Sequence, residues 1–352
     1  MIKLYKYRPL SEFLFKELYY NEIYFATYIE LNDPLDLSVR IDFRPKNEHQ
    51  LIYLVYSIIK SSSLLDFKKS QILIEFYQND ELRSKFCNEL YNSIIDSKSE
   101  DDFISYDLIE EHIKVLSEKF NLDFRLPEFK KEIQRLTKVF FENSCATCFS
   151  ETHTDFLMWS HYASKHSGIC MEFSLDHQGQ FPYIFTEKRK PNKDKYLKDY
   201  HTVLTYKEHI YWEEIKKIKY HKKPPSIKFY DFWPVFENEN DIDLMNISKG
   251  RWHGYAAELK KIFSVKTFPW KYEKEWRAIE INFGKMKKPE ERLRHYPIEA
   301  LTGIYFGLRT PEITKQRIYN IFKSKRAEIK YFDSHLTNDR DLKFNEWEYY
   351  EE

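Results

Sequence analysis

The sequence predicts an α+β fold: a mixed or antiparallel sheet core, with an inserted helical subdomain over residues 47–143. Three observations point there. Short runs with strand character recur at both ends of the chain, in 2–8, 22–28, 144–150, 168–175, 301–308 and 327–333. Helical patterns lie between them rather than in one block, which is how helices inserted into a sheet domain are distributed. From 47 to 143 the apolar spacing is helical throughout, with no strand-like alternation.

The elements follow in order. "IKLYKYR" (2–8) is an aromatic-rich strand, and Pro9 opens the helix "SEFLFKELYYN" (11–21). "EIYFATY" (22–28) is a second strand, ending in "LNDPLD" (31–36), where Asn, Asp and Pro supply turn chemistry. "EHQLIYLVYSIIKSS", "SQILIEFYQNDELRSKFCNELYNSII", "DLIEEHIKVLSEKF" and "PEFKKEIQRLTKVFFEN" carry apolar residues at i, i+3, i+4 and i+7. "SCATCFS" (144–150) reads as a strand, "DFLMWSHYASKH" (155–166) as a helix and "GICMEFSL" (168–175) as a strand. Residues 177–250 read as a basic, irregular insertion within the core, with a helix starting near 246 and running to 263. "LTGIYFGL", "TPEITKQRIYNIFKSK" and "AEIKYFD" close the chain as strand, helix and strand. The expected division is a core of 1–46 and 144–352 around the helical subdomain.

Composition narrows the function. A 42% hydrophobic and 18% aromatic content supports a packed core, and the formal net charge of +0 implies no global pull toward nucleic acid or acidic membranes. With 7 glycines there is no GxGxxG or GxxxxGK[ST] run, so dinucleotide-fold and P-loop sites lack support. Four cysteines are too sparse for a disulfide framework. The N-terminus shows no signal peptide and no apolar run is long enough to span a bilayer. The expectation is a cytoplasmic protein without membrane contact.

"WKYEKEWRAIEINF" (270–283) raises the main question. Strand parity puts Glu273, Glu275 and Arg277 on one face with Ile279, Ile281 and Phe283, in line with the core. Inward charges need a reason. Arg8, Asn32, Asp33, Ser160, His161, Tyr162, Glu273 and Glu275 all sit at expected strand ends or helix starts, where pockets are built. Two accounts stay open: a binding or catalytic site, or buried ion pairs of Arg8 and Arg277 with Asp33, Glu273 or Glu275. A zinc site at Cys145, Cys148, Glu151, His153, His161, His166 and Cys170 is rejected, since strand residues three apart diverge; no metal is expected. A Cys148–His161 nucleophile has only the pair's existence behind it. The basic stretches 187–198 and 216–223, interleaved with Tyr196, Tyr200 and Tyr220, suit phosphate contact and base stacking by nucleic acid.

"LYKYR", "IYFATYIELNDPLD", "CFSE", "LMWSHYASKHSGICMEF" and "WKYEKEWR", in that order, resemble a bacterial family catalogued as domain of unknown function 2971. The resemblance covers both ends of the chain and skips 47–143 and 177–250. The order "YKYR", helix, "IYFAT" and late "EKE" is also similar to ADP-ribosyltransferases. That similarity implies NAD as substrate, with loss of nicotinamide through an oxocarbenium-like ribosyl cation. It implies Glu275 beside the ribose, Glu273 activating the acceptor and Arg8 positioning the dinucleotide, with Trp159 or Tyr162 stacking on nicotinamide. The Ser-Thr-Ser strand of those enzymes has a partial counterpart in Ser150. The lead expectation is an ADP-ribosyltransferase-like toxin or phage-defence effector modifying nucleic acid or protein. The alternatives are a nucleic-acid-binding or nucleic-acid-cleaving effector using Glu273, Glu275 and His161, and a non-catalytic scaffold with 47–143 as its protein interface.

Overall fold

The computed structural model describes residues 2–33, 35–37, 40–63, 67–97, 103–137, 144–175, 180–188, 206–232, 257–282 and 287–349. The chain opens with β1 (Ile2–Arg8), α1 (Glu12–Tyr20), β2 (Glu22–Tyr24) and β3 (Ala26–Thr27). After β4 (Arg40–Asp42) come α2 (Glu48–Ser63), α3 (Phe67–Gln78), α4 (Asp80–Asp96), α5 (Tyr106–Phe120) and α6 (Leu126–Thr137). β5 (Cys145–Ser150), α7 (Phe156–Tyr162) and β6 (Ile169–Leu175) follow. Next are β7 (Gln180–Lys188), β8 (Tyr206–Lys217), β9 (Lys219–His221), β10 (Ser226–Lys228) and α8 (Phe229–Phe232). A helix at 257–262 (α9) leads into β11 (Val265–Thr267), β12 (Glu275–Glu280) and β13 (Leu293–His295). The last elements are β14 (Leu301–Phe306), α10 (Glu312–Ser324), β15 (Lys330–Leu336) and β16 (Leu342–Glu346).

The fold is α+β. Among the described residues one large mixed sheet runs β16-β15-β14-β6-β1-β5-β12-β8-β7-β13-β2, with β3 paired to β5 off this path. β14 and β15 are parallel and the other pairs in it antiparallel. Helix boundaries follow local chemistry. Ser11 caps α1 by accepting the Leu14 N–H at 3.2 Å, and Asn21 ends it in the left-handed conformation. Ser105 and Asn121 do the same for α5.

Both faces of the central strands are covered. Leu14 and Leu18 of α1 and Ile318 and Phe322 of α10 share a core with Leu4, Phe149, Phe173 and Ile304. On the opposite face, α2–α6 join a second core that reaches the sheet through Ala146 and Ile279. The helical block is therefore packed onto β5 and β12 by its apolar side, a helix–sheet–helix layering.

The expectation of an irregular 177–250 is corrected. β7 and β8 form a long antiparallel pair, from Gln180 opposite Glu214 to Lys188 opposite Tyr206. β8 also pairs with β12, Trp276 opposite Lys217, so it belongs to the sheet. Dense Lys and Glu masked the β-favouring Phe, Tyr and Ile in these segments. The basic run 187–198 lies, from 189 on, outside the described residues; 216–223 holds the end of β8 and all of β9. β13 and β16 are further strands beyond those expected, both short and polar; β16 is an edge of the sheet, where such strands tend to lie.

Candidate functional site

The site is a notch in the sheet. β1 and β5 share one register pair, Tyr5 opposite Ser150. β3 takes over the same edge of β5 at Cys145 and Ala146. Thr147, Cys148 and Phe149 lie between, without a ladder partner on that edge among the described residues. A pocket of about 400 Å³ opens at this gap. Consecutive residues of both strands line it, Tyr5–Arg8 and Ala146–Ser150. Neighbouring strand residues face opposite sides, so the pocket is entered between the strands and not from one face alone.

Glu273 and Glu275 both reach this pocket, by different routes. The strand expected from 270 begins only at Glu275. Residues Phe268–Glu273 form a 3₁₀ turn, closed by Lys274 in the left-handed conformation. Ser150 holds the turn, its hydroxyl donating to the Glu273 carbonyl at 2.7 Å. From Glu275 on, parity holds: Glu275, Arg277 and Ile279 are buried on the same side.

Five buried charges meet there. Arg277, with no exposed surface, donates to Glu275 Oε2 at 2.8 Å and to Asp36 Oδ2 at 2.6 Å. Lys266 lies 2.6 Å from Glu273 Oε2, 3.3 Å from Asp36 Oδ2 and 3.4 Å from Glu275 Oε2. Three carboxyl groups thus share two cations. Burial resists the charge on Glu275, but Arg277 and Lys266 outweigh it and hold that carboxyl well below the usual range. Glu273 goes the other way: burial and the Glu275 charge push it up toward neutrality, against Lys266 and Tyr162. The Tyr162 hydroxyl donates to Glu273 Oε1, and Asn32 Nδ2 donates to that hydroxyl at 2.5 Å. Tyr220 in turn accepts the Glu275 N–H at 2.9 Å.

Of the expected site residues, Arg8, Asn32, Ser150, His161, Tyr162, Glu273 and Glu275 line the pocket together. Arg8 is paired with Glu17 of α1, Nε to Oε2 at 2.9 Å, so its charge is directed into the protein. Asp33 is buried outside the pocket, where its carboxylate accepts the Leu35 N–H at 2.9 Å and shapes the turn. Arg277 lies behind the pocket as the counter-ion. The stacking role expected of Trp159 is corrected: its ring is fully buried, stacked on Phe344 and edge-on to Tyr7, and its Nε1 donates to the His153 carbonyl at 2.7 Å. No ring face is left for a ligand.

Lys6, Asp36 and Lys266 are additions. Lys6 and Asp36 lie inside the stretches "YKYR" and "NDPLD"; Lys266, a cation within the apolar run "FSVKTF", offers a weaker signal. Cys145 packs in the core while Cys148 faces the pocket. Burial and the Glu275 charge raise the Cys148 thiol, which leaves it a poor nucleophile. Among the described residues no group of three His, Cys, Asp or Glu side chains is arranged to hold a metal ion. No described helix is long and apolar enough to cross a membrane.

Residues 158–278 match the family model described as Protein of unknown function (DUF2971). The matched stretch starts in α7 and ends in β12, taking in His161, Tyr162, Lys266, Glu273, Glu275 and Arg277. It crosses 177–250, and the DUF2971 match leaves "LYKYR" and "NDPLD" outside it. No curated protein and no solved structure matches the chain.

Proposed function

We propose that the notch is the active site of a group-transfer enzyme that cleaves the nicotinamide–ribose bond of NAD and passes the ADP-ribosyl group to an acceptor. The observation that carries this reading is Glu273: a buried, pocket-lining carboxyl left as the surplus acid of a five-charge cluster, with a proton affinity raised toward working pH. Such a group suits acid–base chemistry at neutral pH. Glu275 is held by Arg277 and Lys266, so the roles expected of the two glutamates are redistributed. Glu275 supplies fixed charge that tunes its neighbour.

In this scheme the C1′–N bond breaks and its electron pair leaves with neutral nicotinamide. Ionised Glu273 stabilises the positive charge developing on the ribose. The acceptor's nucleophile then bonds to C1′, and its proton passes to Glu273. Tyr162, fixed by Asn32, orients the carboxylate. Nucleic acid is the favoured acceptor, because exposed Lys217, Lys219 and Lys222 lie on or beside β9, which pairs with β11 next to Lys266.

The test is incubation with NAD labelled in its adenylate half, following nicotinamide release and label transfer to nucleic acid or protein. Wild type is expected to turn over, and Glu273→Gln to lose turnover while keeping its thermal melt. Turnover retained by that variant, or a folded wild type that never consumes NAD, overturns the proposal; the second result would leave an interaction scaffold.

A further inference from the structure

Among the described residues, every charged side chain lining the notch has an opposite charge against it except Lys6. Arg8 is held by Glu17, Glu30 by Arg292, Asp36 and Glu275 by Arg277, and Glu273 by Lys266. Lys6 is partly buried and has no carboxylate within ion-pair distance. Its Nζ fills the gap on the edge of β5, donating to Thr147 Oγ1 at 2.8 Å and to the Cys148 carbonyl at 3.1 Å. That accounts for two of three N–H donors. Thr147, accepting from Lys6, keeps its own hydroxyl proton to donate. An ammonium drawn out of water without a counter-charge is costly. Burial, with Arg8 nearby, pushes the Lys6 pKa down to about 8.

We infer that Lys6 and Thr147 form an anion anchor in the notch, binding phosphate oxygens of a nucleotide-class ligand. The compact ammonium suits phosphate as a point charge. The pocket, at about 400 Å³, falls within the range of small-molecule sites. The anchor deepens the NAD reading, which it relies on for the ligand's nucleotide identity. It takes over the dinucleotide-positioning role expected of Arg8.

The probe is ADP, titrated calorimetrically into the full chain, with inorganic pyrophosphate as competitor. Wild type is expected to bind ADP and to release it to pyrophosphate. Lys6→Met should weaken ADP binding tenfold or more, and the near-isosteric Thr147→Val several-fold, with Lys6→Arg recovering most of the Lys6→Met loss. Thermal melts establish which variants fold; if Lys6→Met does not, Thr147→Val decides. Absence of ADP binding by folded wild type overturns the anchor, as does wild-type affinity in either folded variant. Nicotinamide release by Glu273→Gln separates the two proposals. Release retained there, with ADP binding still dependent on Lys6, sinks the transferase reading alone. Release lost there, with ADP affinity indifferent to Lys6 and Thr147, sinks the anchor alone.

Discussion

Glu275→Gln and Glu273→Gln should have very unequal consequences for stability, although the two residues are two apart and share one cluster. Arg277 is fully buried, and its guanidinium is divided between Glu275 and Asp36, with a further bond to the Phe263 carbonyl at 3.2 Å. Breaking a buried pair by removing one partner costs about 3–5 kcal/mol. Part returns, because loss of the Glu275 charge lets Glu273 ionise and restore two carboxylates for two cations, at about 1.4 kcal/mol per pKa unit. A net cost of about 2–4 kcal/mol is expected for Glu275→Gln. Glu273→Gln removes the surplus acid and should cost no more than about 1 kcal/mol at pH 7.5. Urea denaturation followed by circular dichroism measures both. The pH dependence supplies a sign. Folding raises the Glu273 pKa, so its stabilising share is full below the unfolded value of about 4.3 and is lost as pH rises through the native value. Wild-type stability relative to Glu273→Gln should therefore decline from about pH 5 toward neutrality and beyond. Glu275, held low, works in the opposite direction and only under more acidic conditions. A larger cost for Glu273→Gln than for Glu275→Gln, or a difference that rises with pH, would refute the surplus-acid account.

Three further outcomes are expected. Asp36→Asn should cost about 3–5 kcal/mol in the same denaturation assay, since it strips Arg277 of a carboxylate and Lys266 of a neighbour; a cost below about 1 kcal/mol would mean the cluster repacks around it. Tyr162→Phe removes the donor that pulls the Glu273 pKa down, so the acidic limb of the pH–rate profile should move to higher pH; kcat should fall roughly 10- to 100-fold, for a hydrogen bond to a charged group of about 1.5–3 kcal/mol. An unmoved limb would show that Tyr162 does not act through Glu273. Gly168→Ala places a Cβ 2.2 Å from the Arg8 carbonyl oxygen and 3.1 Å from the Ala163 backbone. Backbone must yield, at about 1–3 kcal/mol, and an unchanged melting temperature would rule out so close an approach.

Local chemistry was legible. The inward parity of Glu275, Arg277 and Ile279 follows from strand alternation, and the helices of 48–137 follow from apolar spacing. What escaped is non-local. Alternation continues through "WKYEKEW" on paper, yet Pro269 and the left-handed Lys274 turn 268–273 into a 3₁₀ segment. Glu273 therefore arrives from a turn, which is why it differs from Glu275 in partners and proton affinity. The counter-ion of Glu275 could be narrowed to Arg8 or Arg277, but Glu17 lies one helix away from Arg8 and claims it. Asp36 and Lys266 meet only once β11 and the turn after β3 are brought together, a distance that no spacing rule encodes. The β7–β8 pair was hidden by its own charge, because lysine and glutamate on strands read as loop.

The walls of the notch come from residues 5–8, 146–150 and 266–275, and this dictates an order of events during synthesis. The first wall leaves the ribosome long before the last, and its lysine has no partner until β5 supplies Thr147 and Cys148. The helices of 48–137 contact mainly one another and can close early, whereas distant strand pairs must first overcome the entropy of long loops. A chain that stops before Glu273 would possess the helical layer and no charge cluster. Incomplete translation products and truncations that end before Arg277 should therefore be chemically inert, and chemistry at the pocket would begin only once β12 is present.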